Sequence, residues 1–284
     1  MQRSNAPAHA VPLIHPHAVR PSARVKALRR ASSVLVGWLA DRTVPRVLRR
    51  SVFGAYCRFS GADPREAELE PEGYASLGAF FVRRLRASAR ALDPDPRALL
   101  APCDGTVQAI GRIEHGALLQ AKGELYTVAE LLAARGDEAA RVEGAWTATI
   151  YLAPRDYHRV HAPFEAHLAE VRWIPGERRS VAPGVLARVP RVLATNERAV
   201  LALEGPRGHA YLVMVGALNV GRIRVVGVAP GGTPSRPLAF ARGAELARFE
   251  MGSTVVLIVP GAEPVHGFAP GTSLRLGERL ALLP

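Results

Sequence analysis

Arg248-Phe249-Glu250-Met251-Gly252-Ser253-Thr254-Val255-Val256-Leu257-Ile258, close to the C-terminus, carries more information than any other stretch of the chain. Polar and apolar residues mix up to Ser253, and an apolar, β-branched run then continues through Val259, so the stretch reads as two strands meeting at a glycine. A glycine inside such a run marks a bend or a close approach of backbones. It also leaves the Gly252 carbonyl open beside the hydroxyl of the next residue. If a base deprotonates Ser253, its oxygen can attack the carbonyl carbon of Gly252 through a five-membered ring, converting an amide into an ester. Gly-Ser-Thr by itself reads more simply as a β-bulge with a surface serine, because short motifs recur by chance.

The rest of the C-terminal two thirds has the same character. Thr106 to Ile113, Ala145 to Leu152, Ala166 to Ile174, Ala199 to Leu203, Ala210 to Val215, Ile223 to Val228, Glu245 to Phe249 and Thr254 to Val259 read as strands between Gly and Pro turns. Thr127 to Ala134 is the convincing helix among them. Upstream of Asp93-Pro94-Asp95-Pro96 the pattern is helical instead. The expected fold class is therefore α+β: N-terminal basic amphipathic helices, then a predominantly antiparallel β sandwich or barrel-like catalytic body over 93–284.

Composition narrows the partners. With 284 residues, of which 48% are hydrophobic, the chain is globular and can bury a substantial core. A formal charge of +12 calls for an acidic partner, whether nucleic acid, anionic membrane surface or acidic substrate. Nearly all of that charge is arginine, since Lys26 and Lys122 are the only lysines. An enzyme using pyridoxal phosphate needs a Schiff-base lysine, and only Lys122 lies outside the N-terminal arm. Cys57 and Cys103 form no metal or redox spacing and suit a reducing cytosol. No apolar run approaches the roughly 18 residues that cross a bilayer.

Residues 1–24, rich in Pro, His and Ala, are expected to form a disordered arm. From Val25 to Arg58 apolar residues recur at helical spacing (Val25, Leu28, Leu35, Trp38, Leu39, Val44, Val47, Leu48, Val52, Tyr56) with Arg42, Arg46, Arg49 and Arg50 interleaved. A basic amphipathic pair of helices bearing a Trp suits the interface of an anionic bilayer, so 25–92 is read as a helical, membrane-associating region. The same pattern also fits a solvated basic face packed on the body, or an Arg-rich transit peptide. Asp63-Pro64 marks a helix start, and Tyr74 to Phe81 leads into a basic helix ending near Arg86.

Three further stretches carry candidate chemistry. Asp104-Gly105 follows Ala101-Pro102-Cys103 at the mouth of a strand, where an Asp-Gly pair most often makes a tight turn. Tyr151-Leu152-Ala153-Pro154-Arg155-Asp156-Tyr157-His158-Arg159-Val160-His161-Ala162-Pro163 is a strand ending in a loop with two histidines three apart. Neutral imidazole is the natural base near pH 7, and a carboxylate partner fixes its tautomer. An Asp, a His and a Ser from separate strand ends would make a nucleophile-activating set. His158, His161 and His167 match no zinc spacing, so no metal is expected.

In the order and spacing of these stretches the chain resembles the bacterial, pyruvoyl-dependent phosphatidylserine decarboxylase proenzymes. The matching segments include Tyr74 to Arg84, Ala101 to Gly105, Gln120-Ala121-Lys122-Gly123, Tyr151 to Pro163, Val215-Gly216-Ala217 with Val220-Gly221, and Gly243 to Thr254. Met251 stands where the family usually has Leu, a side chain outside the chemistry. The resemblance implies self-cleavage between Gly252 and Ser253 by a triad of Asp104, His161 and Ser253. It implies a covalent pyruvoyl cofactor derived from Ser253; beside it, His158 is the expected manager of the decarboxylation proton, with His161 as the alternative for that role. It further implies a β chain of 1–252 and an α chain of 253–284 as a heterodimer, with higher oligomers left open. Phosphatidylserine at the cytoplasmic face of a bacterial plasma membrane would be the partner. Two rival readings are a lipoyl or biotinyl carrier module attached at Lys122 and a nucleic-acid binder; sparse aromatic interleaving disfavours the latter, and no nucleic acid is expected.

Overall fold

The computed structural model describes residues 35–284 apart from 122–123, 207, 218–221 and 251–252. The expected N-terminal arm, the start of the basic helices, Lys122, Met251 and Gly252 lie outside the described residues. The helices are α1 (Arg46–Ser60), α2 (Leu77–Phe81), α3 (Val128–Leu132), α4 (Glu138–Arg141), α5 (Pro183–Leu186) and α6 (Val192–Thr195). The first eight strands are β1 (Ala98–Leu100), β2 (Gly105–Arg112), β3 (Ala117–Ala121), β4 (Glu124–Thr127), β5 (Trp146–Leu152), β6 (Arg159–His161), β7 (Ala166–Ile174) and β8 (Arg198–Gly205). They are followed by β9 (Gly208–Gly216), β10 (Ile223–Val225), β11 (Leu238–Phe240), β12 (Glu245–Phe249), β13 (Ser253–Val259), β14 (Glu263–Pro264), β15 (Ser273–Leu274) and β16 (Arg279–Leu282).

The apolar run after Gly252 becomes β13, the fifth strand of an eight-stranded antiparallel sheet ordered β11-β7-β8-β9-β13-β5-β2-β15. Every residue of β13 is buried. Alternation explains why: Val255, Leu257 and Val259 enter one core cluster, while Val256 and Ile258 enter a second on the opposite face. The first cluster is closed by two three-stranded sheets, β1-β16-β14 and β10-β12-β6, through Leu99, Val160, Leu246, Phe249 and Leu280. The second is closed by short helices and the β3-β4 hairpin, through Leu118, Val128, Leu131, Leu186 and Leu193. Each such buried aliphatic side chain contributes on the order of 1.5–3 kcal/mol. The body is thus sheet on sheet with helices on the far side, an α+β arrangement. The large sheet is open, with β11 and β15 at its edges, and does not close into a barrel.

The helical region is shorter and more broken than the periodicity suggests. Residues 35–40 are helical, the chain leaves the helix over 41–45, and α1 begins after Pro45. Proline lacks the N–H for the ladder and disfavours helical geometry at the residue before it, so one apolar stripe is split in two. α1 ends at Gly61, whose φ of 81° closes the last turn. Its buried Phe53 packs on Phe80 at 5.6 Å, and Tyr74 meets the same ring edge-on at 5.2 Å. The basic helix expected to reach Arg86 stops at Phe81. Beyond it the backbone instead bonds to residues 66–68, with Glu68 N–H donating to Arg84 O and Arg86 N–H to Glu66 O, so tertiary pairing overrides helical propensity.

Asp104-Gly105 is likewise no tight turn. Gly105 opens β2 against β5, where an added Cβ would sit 2.5 Å from the Tyr151 carbonyl oxygen and 2.7 Å from Cγ2 of Ile150. Only a residue without a side chain admits that approach, and the approach sets the position of Asp104. Gly105→Ala is therefore expected to lower stability by about 1–3 kcal/mol, read as a lowered urea midpoint at unchanged slope; an unchanged midpoint would contradict the packing described.

Candidate active site

Both sides of the Gly252 segment are tied to one strand end. β5 finishes at Leu152, which pairs with Ser253, while Gly216 of β9 flanks Ser253 on the other edge. The chain leaving β5 turns at once: Ala153 N–H donates to Asp156 Oδ2 at 2.7 Å and Asp156 N–H returns to Ala153 O at 2.9 Å. That turn delivers Tyr157, His158 and then β6 with His161. Upstream of the glycine, Phe249 N–H donates to His158 O and Glu250 N–H to Arg222 O, each at 3.0 Å. β12, before this segment, therefore lies in a small sheet, and β13, after it, in the large one.

Ser253 is fully buried, which rules out the surface-serine reading, and its Oγ has no hydrogen-bond partner among the described residues. His158 is also fully buried, with its ring 4.0 Å from that of Phe81. Its Nδ1 lies 2.8 Å from the Asp156 carbonyl. A carbonyl can only accept, so Nδ1 carries the proton and Nε2 presents a lone pair, which is buried and has no partner among the described residues. Burial pushes the His158 pKa down to about 3, against the opposing pull of the Asp156 carbonyl. His161 has the same tautomer for the same reason, with Nδ1 donating to Gly243 O at 2.8 Å. Its Nε2 accepts from the Tyr157 hydroxyl at 3.0 Å. Burial lowers its pKa as well.

Asp104 is buried, and its carboxylate is engaged elsewhere than on a histidine. Arg90 grips both oxygens, at 2.9 and 2.5 Å, and Leu276 N–H donates to Oδ1 at 2.8 Å. Arg90 in turn holds both oxygens of Glu66. Asp104 thus makes no direct hydrogen bond to His161, although its charge reaches the ring and opposes the effect of burial there. The chain leaving the end of β5 beside Ser253 carries His158, each of the two with a polar atom unsatisfied among the described residues, and sets His161 on β6 of the small sheet with both nitrogens occupied. His167 is exposed on β7.

Tyr157, Arg90 and the Gly243 carbonyl were not singled out by the sequence reading. Tyr157 was in view between two motif residues, while Arg90 is one arginine among many and a carbonyl leaves no trace in sequence. The helical region also supports the loop: Tyr56 donates its hydroxyl to Pro154 O at 2.7 Å, and Arg159 Nε donates to Val82 O at 2.9 Å.

A family model described as phosphatidylserine decarboxylase matches residues 77–282. A phosphatidylserine decarboxylase proenzyme of Azotobacter vinelandii is 40% identical over 261 residues, covering 86% of this chain and 91% of its own. One of Alkalilimnicola ehrlichii is 41% identical over 262 residues, covering 87% and 90%. One of Xanthomonas campestris is 42% identical over 237 residues, covering 78% and 83%.

The burial of His158 has a consequence for pH. Between about pH 3 and 6.5 the unfolded chain protonates this residue and the folded one does not, so stability rises with pH through that window and is complete above it. His158→Gln removes the difference and is expected to flatten the urea-midpoint-against-pH curve between pH 4 and 6.5, by an amount on the order of a few kcal/mol. Superimposable slopes would mean that the ring is hydrated in the folded protein.

Proposed function

The chain belongs to the phosphatidylserine decarboxylase family, and from that premise we propose a proenzyme that cuts itself between Gly252 and Ser253 and then converts phosphatidylserine to phosphatidylethanolamine and CO2. What supports this most is the Ser253 hydroxyl, fully buried and unpartnered at the first residue of the central strand. Chemistry can consume such an oxygen without breaking a hydrogen bond, so the site fits a pyruvoyl group made from this residue. That group supplies an electron-accepting ketone in place of pyridoxal phosphate and its lysine.

The residues divide the work as follows. His161 removes the Ser253 proton at Nε2 once the Tyr157 hydroxyl gives up that position, and the Asp104 charge favours the imidazolium that forms. Ser253 Oγ attacks the Gly252 carbonyl carbon, and the peptide nitrogen becomes a free amine as the ester forms. β-Elimination leaves Gly252 as a carboxylate and residue 253 as dehydroalanine, whose hydrolysis releases ammonia. In the decarboxylation His158 carries, at Nε2, the proton that replaces the departing carboxylate; burial makes that nitrogen a strong donor whenever it is protonated. Asp156 O, by fixing Nδ1–H, keeps Nε2 free for this task.

The protein sits, in this reading, on the cytoplasmic face of a bacterial plasma membrane. Leu35, Trp38, Leu39, Val47, Leu48 and Phe59 are exposed on the helical segments, interleaved with the exposed arginines 42, 46 and 50. No helix among the described residues is long and apolar enough to cross a membrane. Exposed apolar side chains interleaved with arginines suit shallow insertion among anionic headgroups.

An intact mass spectrum tests the core of the proposal. Two chains meeting at Gly252 and Ser253, the smaller with a ketone in place of its α-amine, are expected from the wild type, and one uncut chain from Ser253→Ala. A wild type that stays whole would overturn it. His158→Ala should cleave yet show no turnover, and loss of both activities would refute the division between the two histidines. Replacing Trp38 and Phe59 by Ser should weaken sedimentation with phosphatidylglycerol-containing vesicles by roughly tenfold or more; undiminished binding would place the membrane surface elsewhere.

A further inference from the structure

Arg83 is 2% exposed, yet among the described residues its Nε and Nη1 have no hydrogen-bond acceptor. Nη2 alone is engaged, donating to the Arg155 carbonyl at 3.1 Å in the loop that carries His158. The guanidinium lies over the Phe80 ring, 5.1 Å from its centroid. Among the described residues no carboxylate pairs with it: Asp63, within reach of its field, is bonded to Arg65, and Asp156 is bonded to Ala153 N–H. A guanidinium cannot shed its charge, and burying it unpaired is costly until an anion arrives. Its surroundings belong to the catalytic loop, since Phe81 stacks on His158 and Val82 O accepts from Arg159.

We propose that Arg83 is an anion-binding residue that receives the phosphodiester of the lipid substrate through its free Nε–H and Nη1–H groups. The inference rests on the decarboxylase reading and adds to it a headgroup contact. Only two carbons and an ester oxygen separate the amine of phosphatidylserine from its phosphorus, so a headgroup whose amine reaches Ser253 brings the phosphodiester into the neighbourhood of the loop. The substrate carboxylate is the other available anion, and the reaction argues against it. Its negative charge moves off the carboxyl group into the breaking C–C bond as neutral CO2 forms, so a cation fixed on the carboxylate would stabilise the ground state more than the transition state. The phosphodiester keeps its charge from substrate to product, and a cation on it contributes equally to both states. Loss of Arg83 should therefore appear in KM and leave kcat nearly unchanged.

The test uses the mature, self-cleaved enzyme and its Arg83→Gln and Arg83→Lys variants, with dihexanoyl phosphatidylserine as substrate. Self-cleavage, which involves no lipid, reports that each variant is folded. Two inhibitors separate the anions: dihexanoyl phosphatidylethanolamine has the phosphodiester without the carboxylate, and free serine has the carboxylate without the phosphodiester. In Arg83→Gln, KM and the inhibition constant of the phosphatidylethanolamine are expected to rise together by about 10- to 100-fold, the range for loss of a charge-assisted hydrogen bond. Serine inhibition should not change, and Arg83→Lys should fall between. A loss of serine inhibition, with inhibition by the phosphatidylethanolamine unchanged, would assign Arg83 to the carboxylate and overturn the proposal. Unchanged constants in a cleaved variant would leave the guanidinium a packing element and overturn it equally. If Arg83→Gln fails to cleave, Arg83→Lys carries the test, and an unaltered KM there rejects the assignment.

Discussion

A strand buried on both faces and bonded on both edges has almost no freedom, and β13 is such a strand with Ser253 as its first paired residue. Val255 and Leu257 hold it to one core, Val256 and Ile258 to the other, and β5 and β9 fix its register. The same β5 ends beside Ser253 and continues into the histidine loop, so nucleophile and imidazole share one anchor. Tight packing at that anchor is what lets small groups such as Gly105 matter, because a sheet laminated between two cores cannot shift to absorb a misplaced methyl.

Around this rigid centre, burial controls the ionisation. It lowers both histidines and raises the Cys103 thiol and the Tyr157 phenol, in each case favouring the neutral form. The charges that remain in the interior are held by arginine: Arg90 with Asp104 and Glu66, Arg159 with Glu245, Arg172 with Glu138 and Glu170. Such pairs add little net stability, since desolvation offsets the attraction, but their fork geometry fixes position. Arg90 is the instructive example, because Glu66 precedes the sheet-rich body and Asp104 opens it, so one guanidinium ties the two regions at the edge of the site.

How much of this was legible in the sequence depended on length and on chemistry. β7 and β12 begin and end where the alternating pattern says, and β13 starts one residue earlier than Thr254. β1, β6, β11, β14, β15 and β16 have two to four residues, too few to establish a period, and were not read. The continuous stripe over 25–58 concealed the break at Pro45, although the proline itself was the available signal. At the site, Ser253, His158 and His161 stood out because hydroxyl and imidazole are rare reactive groups in a recognisable order. Their partners did not: Asp156 and Gly243 act through backbone carbonyls, and the hold of Arg90 on Asp104, 14 positions further along the chain, exists only once the segment between them has folded.

The placement of β13 also bears on the lifetime of the catalyst. A cut before Ser253 would leave 253–284 as a separate chain, but β13 lies between β9 and β5, β15 edges the same sheet, and β16 lies between β1 and β14. Of its four strands, β13, β15 and β16 pair with strands of the other chain in two sheets, and they cannot leave without dismantling the protein. A prosthetic group at the buried head of such a chain would be neither diluted away nor exchanged for a fresh one. Its supply would be set by protein synthesis, one per polypeptide, and chemical damage to it would retire the whole molecule.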